Sequence, residues 1–404
     1  MSNQAGPSRH PAGPPPSRQP ISLEPYVLDK LAPARLFKDA INGKLPWVST
    51  AHHGYSTKAQ ISSIAFDDTG NGCVTAGEDE LFNWWDITTG TKKKTYASHK
   101  YGLSQIRLTH KPTNVLHTST KTNHDIRYHS MHDNKYLLYL KGHSARVRSI
   151  QMHPTEDRFI SGGDDGTVRI WDLRQGKCQA LLNNVGGSTI AAFDHAGTIF
   201  AVASSDLGVV MLYGTDAPDA IPFSHARLVD PELERASQPP RRPVFTSISF
   251  SNAGDLILIG TSSDVHYVVD GYDLSIHCRL VGHQGLETDR NGRREPQPRR
   301  GGSGEEVGWT ADSRWVYSGS ADGSVYFWDM ASHQRPSDDA KLKAGGRIPY
   351  KTLTPTIRKK PEMFAEMGPS RAVRFNPRHA MMAVGGEQLA FMLPEREEKA
   401  PEGW

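Results

Sequence analysis

Ser161, His143 and Asp165 have the side-chain types of a nucleophile, a general base and an orienting carboxylate, so acyl transfer is the first chemistry the sequence suggests. The same types recur along the chain. Thr75 and Ser318 stand, like Ser161, four residues before an aspartate (Asp79, Asp322 and Asp165), and six residues after each aspartate comes a tryptophan (Trp85, Trp328 and Trp171). His143 and His283 each follow a glycine upstream of two of these sets. A nucleophile is not expected at matching positions in several units, whereas a buried hydrogen-bond relay from tryptophan through histidine to a turn aspartate is reused in every unit that needs it. These eleven residues are therefore assigned to stability, and no catalytic residue is expected.

A second constellation is the run NHDIRYHSMHD, with His124, His129 and His132 beside Asp125 and Asp133. Its composition suits a metal, but residues five apart on a strand face opposite sides, so His124 and His129 do not converge on one ion. The chain holds no GxxxxGK, HExxH, GxSxG or dinucleotide fingerprint. No cofactor is called for.

The elements that position these residues are strands. Around Val168, Ile170 and Trp171 the apolar positions alternate with Thr167 and Arg169, and glycine or aspartate turns bound each run. Gly142-His143, Ser161, Asp165 and Trp171-Asp172 together make a WD repeat, of which each copy exposes an apolar face that only a neighbour covers. Counting from Asp86, steps of 43, 43 and 42 residues lead to His129, Asp172 and Gly214. A fifth unit follows at Phe245 to Phe250, Leu256 to Thr261 and Val265 to Asp270; a sixth ends at Trp328-Asp329; a seventh uses Ala372 to Phe375, Met381 to Gly385 and Leu389 to Leu393, with Met392 in the tryptophan slot. The expected fold is an all-β, seven-bladed WD-repeat β-propeller over 33–394, closed by Ala34 to Lys38 as the outer strand of the last blade, between a disordered proline-rich tail at 1–32 and a charged tail at 395–404.

Long connections are expected at 40–58, 225–243, 284–304 and 355–369, all on one face at consecutive junctions, with a further insert near 331–348. Basic clusters fall at Lys92 to Lys94, Arg241-Arg242, Arg290 to Arg300 and Arg358 to Lys360, and three of the four lie in or beside those connections. A rigid scaffold holds recognition loops without needing them for its core. On that face, in the short connections of blades 2 and 3, Lys100 and Arg146 are the candidates to meet phosphate, with Tyr101 stacking beside them.

Over 404 residues the net charge is only +3, too small to draw the whole chain to nucleic acid or anionic lipid. The 288–303 segment has no interleaved aromatics, so base stacking and direct sequence-specific nucleic-acid binding are not expected. The 3 cysteines lie about a hundred residues apart without a CxxC pair, which argues against a disulfide framework or zinc site. No stretch reaches eighteen uncharged apolar residues and the first twenty hold no hydrophobic region, so a soluble intracellular protein, cytoplasmic or nuclear, is expected.

Several strings are more particular than a generic repeat: KYG with IR and TH at Lys100 to His110, IRY followed by HDNKY at Ile126 to Tyr136, and GHS with RV at Gly142 to Val147. To these are added FISG at Phe159 to Gly162, WDLR with CQ at Trp171 to Gln179, and FNP with AF and LP at Phe375 to Pro394. In order, from about Ala34 to Pro394, they resemble the WD-repeat subunit shared by the COMPASS-type histone lysine methyltransferase and, in fungi, the mRNA cleavage and polyadenylation factor. The resemblance implies a nuclear, non-catalytic scaffold whose partners are methyltransferase-complex subunits, cleavage and polyadenylation factor subunits, and the serine-phosphorylated C-terminal domain of RNA polymerase II. The long connections, the N-terminal tail and Met392 depart from the family pattern. Two other classes stay open: a substrate-receptor propeller of a ubiquitin ligase, although no separate helical adaptor-binding domain is present, and a propeller hydrolase, which requires a metal or carboxylate constellation at the central channel that the sequence does not show.

Overall fold

Alternation of β-branched or aromatic side chains with polar ones suits a pleated strand with one face turned to a neighbour, and the repeated runs adopt that form. The structure is a computed structural model that describes residues 23–42, 59–183, 185–216, 221–235, 243–286, 304–331, 350–359 and 368–395. Seven sheets form the blades of a propeller, antiparallel apart from one parallel strand added to blade 5. Their innermost strands are Ile61–Phe66, Ile106–Leu108, Val147–Met152, Thr189–Phe193, Phe245–Phe250, Val307–Trp309 and Ala372–Phe375. The blade boundaries read from the spacing hold, Met392 included, which packs at 1% exposure in the core shared by blades 6 and 7.

The ring closes through Leu31–Phe37, which pairs antiparallel with Leu389–Pro394, from Leu31 opposite Pro394 to Phe37 opposite Leu389. Pro33 sits on this outermost strand, where a missing N–H costs no ladder bond if it faces outward. The described residues begin at Leu23, before the expected tail boundary at residue 32, and residues 23–32 are structured. Pro25–Asp29 forms a short helix whose Leu28 is fully buried against blades 6 and 7. Leu23 is fixed at both ends of its peptide unit, its N–H donating to Asp312 Oδ2 (2.6 Å) and its carbonyl accepting the Trp315 indole N–H (2.8 Å). Apolar surface buried on Leu28 and Leu31 lets this segment offset the entropy of ordering it.

Two of the expected long connections are shorter than the spacing suggested. Ser224–Arg227 is the outer strand of blade 4, and Ile357–Lys359 is that of blade 6. Between the third and outer strands of blade 6, Lys351–Leu353 lies parallel on the outer strand of blade 5, making that sheet five-stranded. Most of the expected connections at 40–58 and 284–304, the insert near 331–348, Arg241-Arg242, Arg290 to Arg300, Lys360 and both tails beyond 23–395 lie outside the described residues.

The core is divided among the blade interfaces rather than gathered in one place. Each apolar cluster joins adjacent sheets, as where Ile160, Val168 and Ile170 of blade 3 meet Phe193, Phe200 and Tyr213 of blade 4. Trp85, Trp171, Trp315 and Trp328 are all fully buried. An indole removes on the order of 200 Å² from water, worth roughly 5 kcal/mol before entropy is charged against it.

Candidate partner-recognition surface

In blade 3 the expected relay is complete. The Trp171 indole N–H donates to Ser161 Oγ (2.8 Å), Ser161 Oγ lies 2.8 Å from His143 Nε2, and His143 Nδ1 lies 3.0 Å from Asp165 Oδ2. Asp165 also accepts from the N–H groups of Ser144 and Thr167 and ends a tight turn in which Gly166 takes φ +68°, a conformation that favours glycine. Burial lowers the pKa of His143 despite the neighbouring Asp165. The ring is therefore neutral at pH 7, with Nδ1–H facing the carboxylate and Nε2 accepting from Ser161. The set has the connectivity of a catalytic triad, but Ser161 is fully buried and bonded to an indole.

Blade 1 keeps the inner half of the relay: Trp85 Nε1 donates to Thr75 Oγ1 (2.9 Å), while Asp79 accepts from the N–H groups of Asn42 and Leu81. Blade 6 departs from the expected pattern. Trp328 donates to the Val281 carbonyl (3.2 Å), and Ser318 instead meets His266 Nε2 (2.9 Å) from blade 5. His283 stacks on His266 at 4.1 Å between ring centroids and turns its Nε2 to the Ser263 carbonyl. Asp322 holds its own turn through Ser324 and the Tyr326 hydroxyl, and pairs with Arg358 at 2.8 Å. His266 has taken the hydroxyl that spacing allotted to His283, so no relay runs from His283 to Asp322.

The other histidine cluster disperses. His129 Nε2 contacts Asn134 Oδ1 (3.1 Å) and His132 contacts Asp133 (2.9 Å). Among the described residues no three histidine, cysteine, aspartate or glutamate side chains are grouped to hold a metal.

Of the three residues singled out for phosphate, the structure brings two together. Lys100 is exposed, with Nζ 5.2 Å from the centroid of the Tyr101 ring. The guanidinium against that ring belongs to Arg127, 3.4 Å from the centroid, and not to Arg146. Arg146 is spent on Ser104 Oγ (3.0 Å), and burial lowers its pKa. Arg127 lies on the third strand of blade 2, opposite His117, in the register that Arg169 holds opposite Ser161 in blade 3. It is fully buried and donates from Nη2 to Asn123 Oδ1 (3.0 Å), and among the described residues its Nε and Nη1 have no hydrogen-bond partner. Tyr136 and Tyr139 stand edge-on to Tyr101, at 5.8 and 6.4 Å. Arg127 thus lies beneath three phenol rings, with Lys100 at the rim of the cluster.

The basic clusters that fall within the described residues are mostly occupied. Lys92 pairs with Asp39, Lys93 with Asp86, Arg358 with Asp322 and Lys359 with Asp29.

A polar group at the propeller axis escaped the sequence reading. Glu305, 2% exposed, takes Arg107 from the innermost strand of blade 2 and Arg374 from that of blade 7, while Arg107 also reaches Ser63 Oγ in blade 1. Burial raises the Glu305 pKa, but the two guanidiniums outweigh it and hold the carboxyl below its ordinary range. The adjacent Glu306 is pushed up to about 7, by burial first, and accepts from Thr246 Oγ1 (2.8 Å). The one available signal was the doublet Glu305-Glu306 at the start of an inner strand. Glu305 is thus held in a buried ion-pair hub, whereas Glu306 beside it is bonded to the Thr246 hydroxyl.

Comparison with known proteins gives both a family model and close relatives in sequence. The model for the WD domain, G-beta repeat, matches residues 134–172 and 306–329. The chain is 32% identical to WD repeat-containing protein 82 of Drosophila melanogaster over 84% of its own length and 92% of that protein. It is 36% identical to the Set1 complex component swd2 of Schizosaccharomyces pombe over 57% of the chain and 62% of that protein. It is 26% identical to the COMPASS component SWD2 of Saccharomyces cerevisiae over 82% and 90%.

Proposed function

The chain belongs to the family of WD repeat-containing protein 82, and from that premise we propose that it is a nuclear, non-catalytic WD-repeat subunit of a COMPASS-type histone lysine methyltransferase complex. Its finer task is to couple that complex to transcribing RNA polymerase II through the serine-phosphorylated C-terminal repeats. Service in the cleavage and polyadenylation factor is the second part of the reading.

The observation that carries it is where the family-specific strings meet in space. Tyr101 from KYG, Arg127 from IRY and Tyr136 from HDNKY are dispersed over 36 positions, yet they form one cluster on blade 2 with Lys100 beside it. Blade 3 closes with a different set, the relay of Trp171, Ser161, His143 and Asp165. Phosphate is favoured there because the exposed Lys100 offers a charged donor, with the buried Arg127 adding positive charge beneath the rings, and charge-assisted hydrogen bonds to an anion are about twice as strong as neutral ones. The saturated, buried relay of blade 3 supports a scaffold over a hydrolase.

Affinity purification of the tagged chain with mass spectrometry should recover methyltransferase subunits, and it separates that outcome from polyadenylation or ubiquitin-ligase assemblies. Lys100→Glu should weaken binding of serine-phosphorylated polymerase repeat peptides at least tenfold while the Tm stays at the wild-type value. Unchanged affinity for the phosphopeptide would remove this surface from the coupling role.

A further inference from the structure

An outer strand leaves one row of backbone N–H and C=O groups without a partner in its own sheet. Blade 5 covers that row from within the molecule: Lys351–Leu353 runs parallel to Ile276–Val281, setting Cys278 against Lys351, Arg279 against Thr352 and Leu280 against Leu353. The covered strand has a bulge at His277 just before the paired residues. The same bulge recurs at Lys93 in blade 1, Leu137 in blade 2 and Gln179 in blade 3. Counted from it, Leu138, Tyr139 and Leu140 occupy in blade 2 the positions that carry the added strand in blade 5.

The edges of blades 1, 2 and 3 differ in chemistry. Blade 1 presents Lys92-Lys93-Lys94-Thr95, charges of the kind that discourage edge pairing. Blade 3 has Gln179 at the bulge, followed by a buried Ala180. Blade 2 instead exposes Leu137 at 45% and Tyr139 at 47%, whereas Arg279, at the position of Tyr139, is only 5% exposed in blade 5. The bulge also changes the phase of the strand. Tyr136 opposes His129 and Tyr139 opposes Arg127, so both rings share one face over the Arg127 guanidinium, from which, among the described residues, only Asn123 accepts. Lys135 and Lys141, both exposed, bracket the strand.

Resting on the reading of the chain as a subunit of a larger assembly, we infer that the outer strand of blade 2 takes an extended, acidic segment of a partner subunit as a fifth strand. The segment pairs in parallel along Leu138 to Leu140, as the chain's own strand does in blade 5. Its apolar side chains cover Leu137 and Tyr139, and its carboxylates meet Lys135 and Lys141. Backbone pairing supplies affinity and the alternating side chains supply selectivity.

The test uses the assembly purified from its own cells on the tagged full-length chain. Amide hydrogen exchange is measured in the assembly and on the isolated chain, and a photo-cross-linking residue at position 139 identifies what lies there. Exchange at 138–140 should slow at least tenfold in the assembly, and the cross-linked segment should be extended and rich in aspartate or glutamate. The double variant Leu137→Lys with Tyr139→Thr installs the residues that Lys93 and Thr95 already supply in the same geometry in blade 1. It should keep the wild-type Tm and bind the partner at least tenfold more weakly. Unchanged exchange at 138–140, or cross-links to nucleic acid, to a helical segment or to a second copy of the chain, overturns the inference. Subunit composition is read separately: an assembly without methyltransferase subunits defeats the functional reading while exchange at 138–140 still decides the edge, and a chain that purifies alone fails both.

Discussion

At the scale of single residues, the histidines show how burial sets protonation. Burial pushes His117 down to about 3 and His283 down to about 4, and it lowers His266 well below its ordinary value. Each is neutral in the fold and titrates near 6.5 when unfolded. The unfolded chain therefore binds more protons below pH 6.5, so the stability these groups allow is complete above that value and is lost as pH falls from 6.5 toward 4. Each such histidine contributes a slope of about 1.4 kcal/mol per pH unit inside its window. Urea midpoints should fall between pH 7.5 and 5, and His283→Gln should fall less steeply than wild type. Parallel slopes for the two proteins would mean that His283 is solvated. The residue scale is also where sequence reading was weakest. Arg127 on a strand and Arg146 in a connection both carry a charge in sequence, but only packing sends one to Tyr101 and the other to Ser104.

At the scale of elements, Leu31–Phe37 is the clearest case of a strand whose worth depends on a partner more than 350 positions away. Described contacts of the N-terminal region begin at Leu23 and include Leu28 and Leu31 in the blade 6 and 7 core. Deleting residues 1–20 should leave the Tm unchanged. Deleting through Lys38 should expose the edge of Leu389–Pro394 and lower solubility sharply, as seen by light scattering, because an unpaired strand is a template for other chains. Equal solubility of the two truncations would reject the strand as a closing device. The strand was legible because ARLFK is a short apolar run with no place in the first blade. The helix Pro25–Asp29 was not, since five residues carry too little period to stand out from a proline-rich stretch.

At the scale of the whole molecule, closure is not left to the outer rim alone. The Arg107–Glu305–Arg374 group ties blades 2 and 7 to the start of blade 6 at the axis, and Ser63 brings in blade 1. Removing one partner of a buried ion pair strands the others without solvation, at a cost of roughly 3 to 5 kcal/mol. Glu305→Ala should therefore lower the denaturation midpoint by far more than an exposed-loop substitution, and Glu305→Gln should recover only part of it. A midpoint within experimental error of wild type would show that water or neighbouring groups compensate the two arginines.

What the sequence determined by itself was everything carried by local spacing: seven blades, the register of each turn aspartate with its tryptophan, and the relay of blade 3. Those features repeat within some forty residues of chain, where connectivity limits the arrangements available. Tertiary structure decided the rest. Lys351–Leu353 joins blade 5 although it follows most of blade 6, His266 displaces His283 at Ser318, and Glu305 finds its arginines 198 and 69 positions away. Contacts of that kind depend on which side chains the ring brings face to face, and on how their charges and volumes share a buried space. The spacing of residues along one chain does not record that competition.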